Sequence, residues 1–122
     1  MLSIVSPLLL ILNQIKIYHW QTYSFAQHKT LDATYESFSD LIDEFVETYQ
    51  GIFGRVKAKD GSFNFELSNL DEVDIFSKID EWIFYLQSFN QDEQLSKCTD
   101  LLNIRDEMLG TLNQLKYLLS LS

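Results

Sequence analysis

The sequence predicts an all-α protein in which four helices form a bundle, with residues 1–122 as a single domain. Apolar residues recur at alternating three- and four-residue steps, the spacing that places them on one helical face. One proline and four glycines leave few positions that would interrupt a helix. The chain is 46% hydrophobic and contains nine Phe, six Tyr and two Trp, so it can fill a core instead of remaining disordered.

The first helix is predicted from about Pro7 to Gln21, with Ser6 as its N-cap. Its apolar face consists of Leu8, Ile11, Leu12, Ile15 and Tyr18. The apolar run that opens this helix is shorter than the ~20 residues of a membrane span. No basic residue precedes the run and no small-residue cleavage site follows it, which argues against a signal peptide.

The second helix gives the strongest periodic signal of the chain. Ser24 and Gln27 have the spacing of a capping box and are predicted to begin it. An unbroken apolar seam follows, made of Leu31, Tyr35, Phe38, Ile42, Phe45 and Tyr49. Gly51 and Gly54 are expected to end the helix.

Residues 51–69 interrupt the helical pattern, and the turn signal Asp60–Gly61 within them suggests a small hairpin. The third helix is predicted over about 70–89 and the fourth over about 94–121. The two short connections favour antiparallel helix pairs, whereas the middle one can cross the ~30 Å length of a twenty-residue helix. This is a ferritin-like bundle with a long crossover. An up-and-down bundle with a flexible insertion is the alternative.

The charge balance limits the possible partners. The chain carries 18 acidic and 9 basic residues, for a net charge of -9, and its ends have no basic tail. Phosphate backbones attract basic surfaces, so the composition argues against nucleic-acid binding. The single cysteine, Cys98, cannot form an intramolecular disulfide, which favours a reducing, cytoplasmic location.

Five residues are candidate metal ligands: His19, His28, Asp32, Asp43 and Glu47. On a helical wheel, the last four lie beside the apolar seam of the second helix. His28 and Asp32 are one turn apart, as are Asp43 and Glu47. About 22 Å of helix separates the two pairs, so they cannot share an ion within one chain.

A two-fold dimer would solve this separation. If two copies of the second helix pack antiparallel, the imidazole end of one chain meets the acidic end of the other, at two equivalent sites. His19 would join the imidazole end. Two imidazoles and three carboxylates suit iron, manganese or zinc. Alternatively, the histidines are caps or packing residues and the carboxylates form a solvated helix face.

The segments HWQTYSFAQHKTLD (19–32) and DEFVE (43–47) resemble the ferroxidase signature of the Dps mini-ferritins. The resemblance covers residues 8–50, and the remainder agrees only in helix pattern. The YHWQT and SDLIDEFVE segments are also similar to short, uncharacterised ferritin-like proteins of phages and large DNA viruses.

The Dps resemblance implies an intersubunit di-iron site at which Fe(II) is oxidised by peroxide or oxygen. It also implies iron storage, protection against oxidative stress and a homo-oligomer, from a dimer to a twelve-subunit shell. His19, His28 and Asp32 would come from one chain, with Asp43 and Glu47 from its neighbour. A viral protein of this kind would act in the host cytoplasm or the virion.

Trp20 matches a tryptophan near the site in the Dps family. The resemblance implies that it donates electrons and limits radical escape, whereas the alternative, which the sequence favours, is a packing aromatic. A non-catalytic structural or virion-associated protein that keeps the bundle is the alternative function. Its partners would contact aromatic residues that could equally be buried under the crossover: Phe53, Phe63, Phe65, Phe84 and Tyr85.

Overall fold

The computed structural model describes residues 4–121 and confirms the all-helical class. The four helices are α1 (Val5–Gln21), α2 (Phe25–Phe53), α3 (Ile75–Gln87) and α4 (Thr99–Leu119). Short 3-10 turns occupy Leu70–Glu72, Ser88–Gln91 and Leu95–Lys97. None of the helices in the described part is both long and apolar enough to span a membrane.

The apolar faces of the helices meet in one core. α2 packs against both α1 and α4, and α3 packs against α4. The seam of α2 is buried as the periodicity predicts, with the exception of Tyr35, which is only half-buried at the margin. Tyr18 of α1 stacks near Trp82 of α3, with ring centroids 6.4 Å apart.

Side-chain contacts show how α3 and α4 are oriented relative to each other. Lys116 near the end of α4 binds Asp80 early in α3, while Arg105 in the first half of α4 reaches the Leu86 carbonyl at the end of α3. α3 and α4 therefore run antiparallel. One groove is lined by residues 29–37 of α2 and by residues 111–118 of α4.

The linker at 54–69 follows α1. At its start, Val56 lines the same pocket as Val5 at the beginning of α1. At its end, the Ser68 main-chain N–H donates to Gln14, 2.7 Å away, and Gln21 binds both Asn69 and the Leu70 N–H. The 3-10 turn at Leu70–Glu72 consequently lies beside the C-terminal end of α1.

The hairpin suggested for the linker is wrong, since no strand is present between residues 4 and 121. The linker has no regular secondary structure, and its polar groups bond to Gln14, Tyr18 and Gln21 of α1 and not to a second linker strand. The predicted turn does form: the Gly61 N–H donates to the Ala58 carbonyl, and Gly61 adopts a φ of 85°, which suits glycine.

Several predicted helix ends are also corrected. α1 begins two residues earlier than expected, with buried Ile4 and not Ser6 at the N-cap. Pro7 remains in the first turn, where a missing N–H costs no helical hydrogen bond. The third helix is predicted to start at Leu70, but this residue opens a 3-10 turn, and α3 begins at Ile75 behind an Asp74 cap. The fourth is predicted to start at Gln94, which precedes another 3-10 turn, and α4 begins at Thr99.

The ends of α2 agree more closely with expectation. The Ser24 hydroxyl accepts a hydrogen bond from the Gln27 N–H at 3.2 Å, as a capping residue does. The helix passes through Gly51 and ends at Gly54, whose φ is 90°. Phe53 packs on Tyr49 with ring centroids 4.8 Å apart, a contact that favours the last turn.

Candidate metal-binding site

The end of α1 and the first turn of α2 bring His19 and His28 into direct contact. Their rings stack with centroids 3.8 Å apart and an interplanar angle of 17°. His19 Nδ1 lies 2.7 Å from the main-chain oxygen of His28, and His28 Nδ1 lies 2.8 Å from that of His19. Carbonyl oxygens only accept hydrogen bonds, so both Nδ1 atoms carry a proton.

This hydrogen bonding fixes the tautomer of both rings. A neutral imidazole protonated at Nδ1 has its lone pair at Nε2. Metal-binding histidines commonly donate their second ring N–H to a carbonyl, which orients the ring and increases its basicity. In this tautomer, Nε2 of His19 and of His28 is the ring nitrogen available to a metal ion.

The turn between the two helices holds the pair in place. The Thr22 hydroxyl donates to the Gln27 side chain at 2.8 Å and accepts from the Ser24 N–H at 3.1 Å. The His28 N–H in turn donates to the Ser24 carbonyl. His28 is thus a first-turn residue of α2, placed opposite the last turn of α1.

Asp32 forms an ion pair with Lys16 of α1, at 3.6 Å. Both side chains remain partly exposed, 29% for Lys16 and 46% for Asp32. Lys16 also lies over the rings of Trp20 and Tyr35. Since exposed ion pairs contribute ~1 kcal/mol or less, this one is weak enough for a divalent cation to replace Lys16 at the carboxylate.

Asp43 and Glu47 are exposed further along α2. The fifteen helical residues from His28 to Asp43 correspond to about 22 Å, so a single chain does not bring the acidic pair to the histidines. Within residues 4–121 of one chain, no group of three or more His, Cys, Asp or Glu side chains is arranged to hold a metal ion. Each end of α2 thus carries only part of the proposed ligand set.

A family model described as "Family of unknown function (DUF5856)" matches residues 19–119. The chain belongs to this family. No curated protein and no solved structure matches the chain.

The DUF5856 match begins at His19, so it includes all five candidate ligands as well as the whole of α2, α3 and α4. Most of α1 precedes it. The part of the fold shared with the family therefore contains the α1–α2 turn and the histidine pair that this turn positions.

Exposed aromatic residues surround the histidine pair. Trp20 is 65% exposed, Phe25 is 72% exposed and Tyr23 is fully exposed. Sequence reasoning singled out Trp20 but missed Tyr23 and Phe25. The sequence feature that could have identified Tyr23 and Phe25 is the presence of large aromatic residues around a short turn, outside the apolar seam. Among the other aromatic candidates, Phe63 and Phe84 are exposed, whereas Phe53, Phe65 and Tyr85 are half-buried.

Proposed function

We propose that the protein is a Dps-like mini-ferritin that oxidises Fe(II) at sites formed between two chains. The observation that supports this most directly is the pair of hydrogen bonds from His19 and His28 Nδ1 to main-chain carbonyls. These bonds leave both Nε2 atoms with a lone pair for a metal ion.

The proposed fold is ferritin-like. The linker lines a pocket with Val5 at one end of α1 and bonds to Gln21 at the other, as a crossover along the bundle would. The 3-10 turn before α3 lies beside the end of α1, and α3 runs antiparallel to α4. This arrangement favours the crossover topology over an up-and-down bundle, in which a short middle loop would join antiparallel α2 and α3.

The proposed site needs two chains. Antiparallel contact between two α2 helices about a two-fold axis brings His19, His28 and Asp32 of one chain to Asp43 and Glu47 of the other. The dimer is the minimal active unit, and a closed dodecameric shell is the larger assembly that would store iron. Manganese and zinc suit the same ligands, although zinc has no redox chemistry.

Fe(II) is the substrate in this proposal. Two Fe(II) ions each give up one electron, and hydrogen peroxide accepts both electrons as its O–O bond breaks, with two hydroxide ions as products. Carboxylates favour this oxidation because their negative charge stabilises Fe(III) more than Fe(II). Oxygen is the alternative oxidant. Trp20, the residue after His19, would supply an electron to a reactive oxygen species.

The test compares two neighbouring pairs of carboxylates on α2. Asp43→Asn combined with Glu47→Gln should abolish protein-dependent Fe(II) oxidation by peroxide. Asp40→Asn combined with Glu44→Gln makes the same change in charge at exposed positions outside the proposed site and should leave the rate close to wild type. An unchanged rate in the first variant would refute the assignment.

The exposed aromatic residues favour a second candidate function, a non-catalytic interaction protein. Trp20, Tyr23 and Phe25 lie within six consecutive positions and present large apolar surfaces, as interaction sites do. Calorimetry distinguishes the two candidates. Binding of Fe(II), Mn(II) or Zn(II) supports the metal site, and the lack of binding by all three supports an interaction protein.

A further inference from the structure

A pocket lies at the end of α2 opposite to the histidine pair. Its cavity of about 320 Å³ is lined by the N-terminal end of α1, the C-terminal end of α2 and the start of the linker. The 25 residues from His28 to Phe53 correspond to about 37 Å of helix, so the two regions are separate.

Three cations line this pocket: Arg55, Lys57 and Lys59. They are a third of the nine basic residues of the chain, within five consecutive positions. All three are exposed, and none forms an ion pair within residues 4–121. Asp60 follows Lys59 in the chain, but no acidic side chain of residues 4–121 lines the cavity.

The linker presents the three cations on its exposed side. Residues 54–58 have no regular secondary structure, and exposure alternates along the segment: Arg55, Lys57 and Lys59 are exposed, whereas Val56 and Ala58 are partly buried. Val56 packs against the core, and its N–H donates to the Gln50 side chain at 3.1 Å. Arg55, Lys57 and Lys59 line the cavity together with Val56, which joins this segment to the core.

Aromatic rings form another part of the wall. Tyr49 and Phe53 belong to the last turns of α2, and Phe63 comes from the linker. Phe63 is 40% exposed, so its ring is accessible to a ligand. Flat aromatic ligands pack on such rings and also attract cationic side chains through their faces.

The partial charges of the two helix ends in the pocket largely cancel. α1 contributes the positive end of its dipole, and its N-cap Ile4 has no polar side chain to accept from the first-turn amides. α2 contributes the negative end of its dipole. Each end is equivalent to about half a charge, so the three full positive charges dominate the pocket.

From these observations we propose that the pocket binds a small anion with an aromatic body, the chemical class that includes nucleotides. The cations would hold the anionic group, and the Tyr49, Phe53 and Phe63 rings would contact the aromatic body. The cavity lies within the size range of ligand pockets, which starts at about 300 Å³. This proposal is independent of iron chemistry at the histidine pair.

Two fluorescent probes with the same rings test the proposal: the anionic 1-anilinonaphthalene-8-sulfonate and the uncharged N-phenyl-1-naphthylamine. Lys57→Gln combined with Lys59→Gln should weaken binding of the anionic probe about tenfold, a loss of ~1.4 kcal/mol, and leave the uncharged probe unaffected. Lys29→Gln combined with Lys97→Gln makes the same change in charge outside the pocket and should alter neither. Equal effects of the two double variants would overturn the proposal.

Two further measurements examine the aromatic wall and the stability of the variants. Phe63→Ala should weaken binding of both probes, and an unchanged affinity would overturn the role of the rings. Inorganic phosphate should compete with the anionic probe only at much higher concentration, whereas equal potency would show a site for the anion alone. Urea unfolding shows whether lost binding reflects lost folding, since cations beside the C-terminal end of α2 also stabilise that helix.

Discussion

His19 and His28 each hold the other's ring through a main-chain carbonyl, so neither imidazole is positioned independently. The two hydrogen bonds tie the last turn of α1 to the first turn of α2. The same interaction stabilises the helix connection and selects the tautomer with a free Nε2 lone pair. Structural and metal-binding roles can be separated because the former uses Nδ1 and the latter Nε2.

Substitution of His28 separates these roles. His28→Asn keeps a side-chain N–H close to the position of Nδ1 but removes Nε2, so it should lower the free energy of unfolding by less than 1 kcal/mol. His28→Ala loses the hydrogen bond to the His19 carbonyl and should cost about 1–2 kcal/mol. Both variants should bind Mn(II) or Zn(II) weakly or not at all. Urea unfolding measures the change in stability, and calorimetry measures metal binding. Strong metal binding by His28→Asn would exclude His28 Nε2 as a ligand.

The sequence predicted the core of this protein better than its helix ends. The α2 seam from Leu31 to Tyr49 depends only on helical periodicity, which is local information. The linker depends on Gln14 and Tyr18, whose bonds to Ser68 join residues at least 50 positions apart. No local pattern contains that contact, so the sequence predicts a hairpin where the segment instead bonds to α1.

The candidate site was likewise only partly predictable from the sequence. The wheel placed His28 and Asp32 beside the core, and the short turn placed His19 near them. The stacking of the two histidines and their exchange of hydrogen bonds needed the actual path of the turn at 22–24. Lys16 was missed because its pairing with Asp32 joins two helices whose relative rotation periodicity does not determine.

Tyr85 is predicted to destabilise the fold through its hydroxyl. Tyr85 Oη is buried without a hydrogen-bond partner in the part of the chain that the structure describes. Tyr85→Phe should therefore raise the free energy of unfolding by about 1 kcal/mol. Tyr18→Phe is the matched comparison, because Tyr18 Oη is bonded to Ser68 at 2.8 Å and its loss should be destabilising. Equal effects in the two variants would contradict this explanation.

The same tyrosine predicts a loss of stability in alkali. Burial, with a smaller contribution from the nearby charge of Asp92, raises the pKa of Tyr85 above its ordinary value of 10.0. Above pH 10 the unfolded chain releases this proton while the folded chain retains it, so stability falls as pH rises. Urea unfolding between pH 9 and pH 11 (roughly one pH unit on each side of the ordinary value) should show a shallower fall in Tyr85→Phe than in the wild type.

Arg105 is a buried cation that joins α4 to the end of α3. Its guanidinium donates to the Leu86 carbonyl and to Asn90, each at 2.8 Å, and to Asp106 at 2.9 Å. Arg105→Ala removes all three hydrogen bonds and the packing of a buried side chain, and it should cost about 3 kcal/mol. Lys116→Ala, which breaks only the exposed pair with Asp80, should cost less than 1 kcal/mol in the same unfolding measurement.

The two-chain site makes a quantitative prediction for mixed dimers. One variant carries His28→Asn and Asp32→Asn, and the other carries Asp43→Asn and Glu47→Gln. Each homodimer has both sites broken, but a mixed dimer combines the two intact halves in one of its two sites. Random reassembly makes about half of the dimers mixed, so co-refolding should restore about a quarter of the wild-type Fe(II) oxidation rate.

Sedimentation of the refolded mixture provides the control, because the recovered activity must travel with a dimer or a larger assembly. A mixture no more active than its separate components, although dimers have formed, would show that the two ends of α2 do not meet across the interface. A monomer at every concentration would have the same consequence, since about 22 Å of helix keeps the imidazoles and the acidic pair apart within one chain. Restored Fe(II) oxidation in the mixture therefore requires that α2 of one chain packs against α2 of the other, because neither set of ligands is complete within one chain.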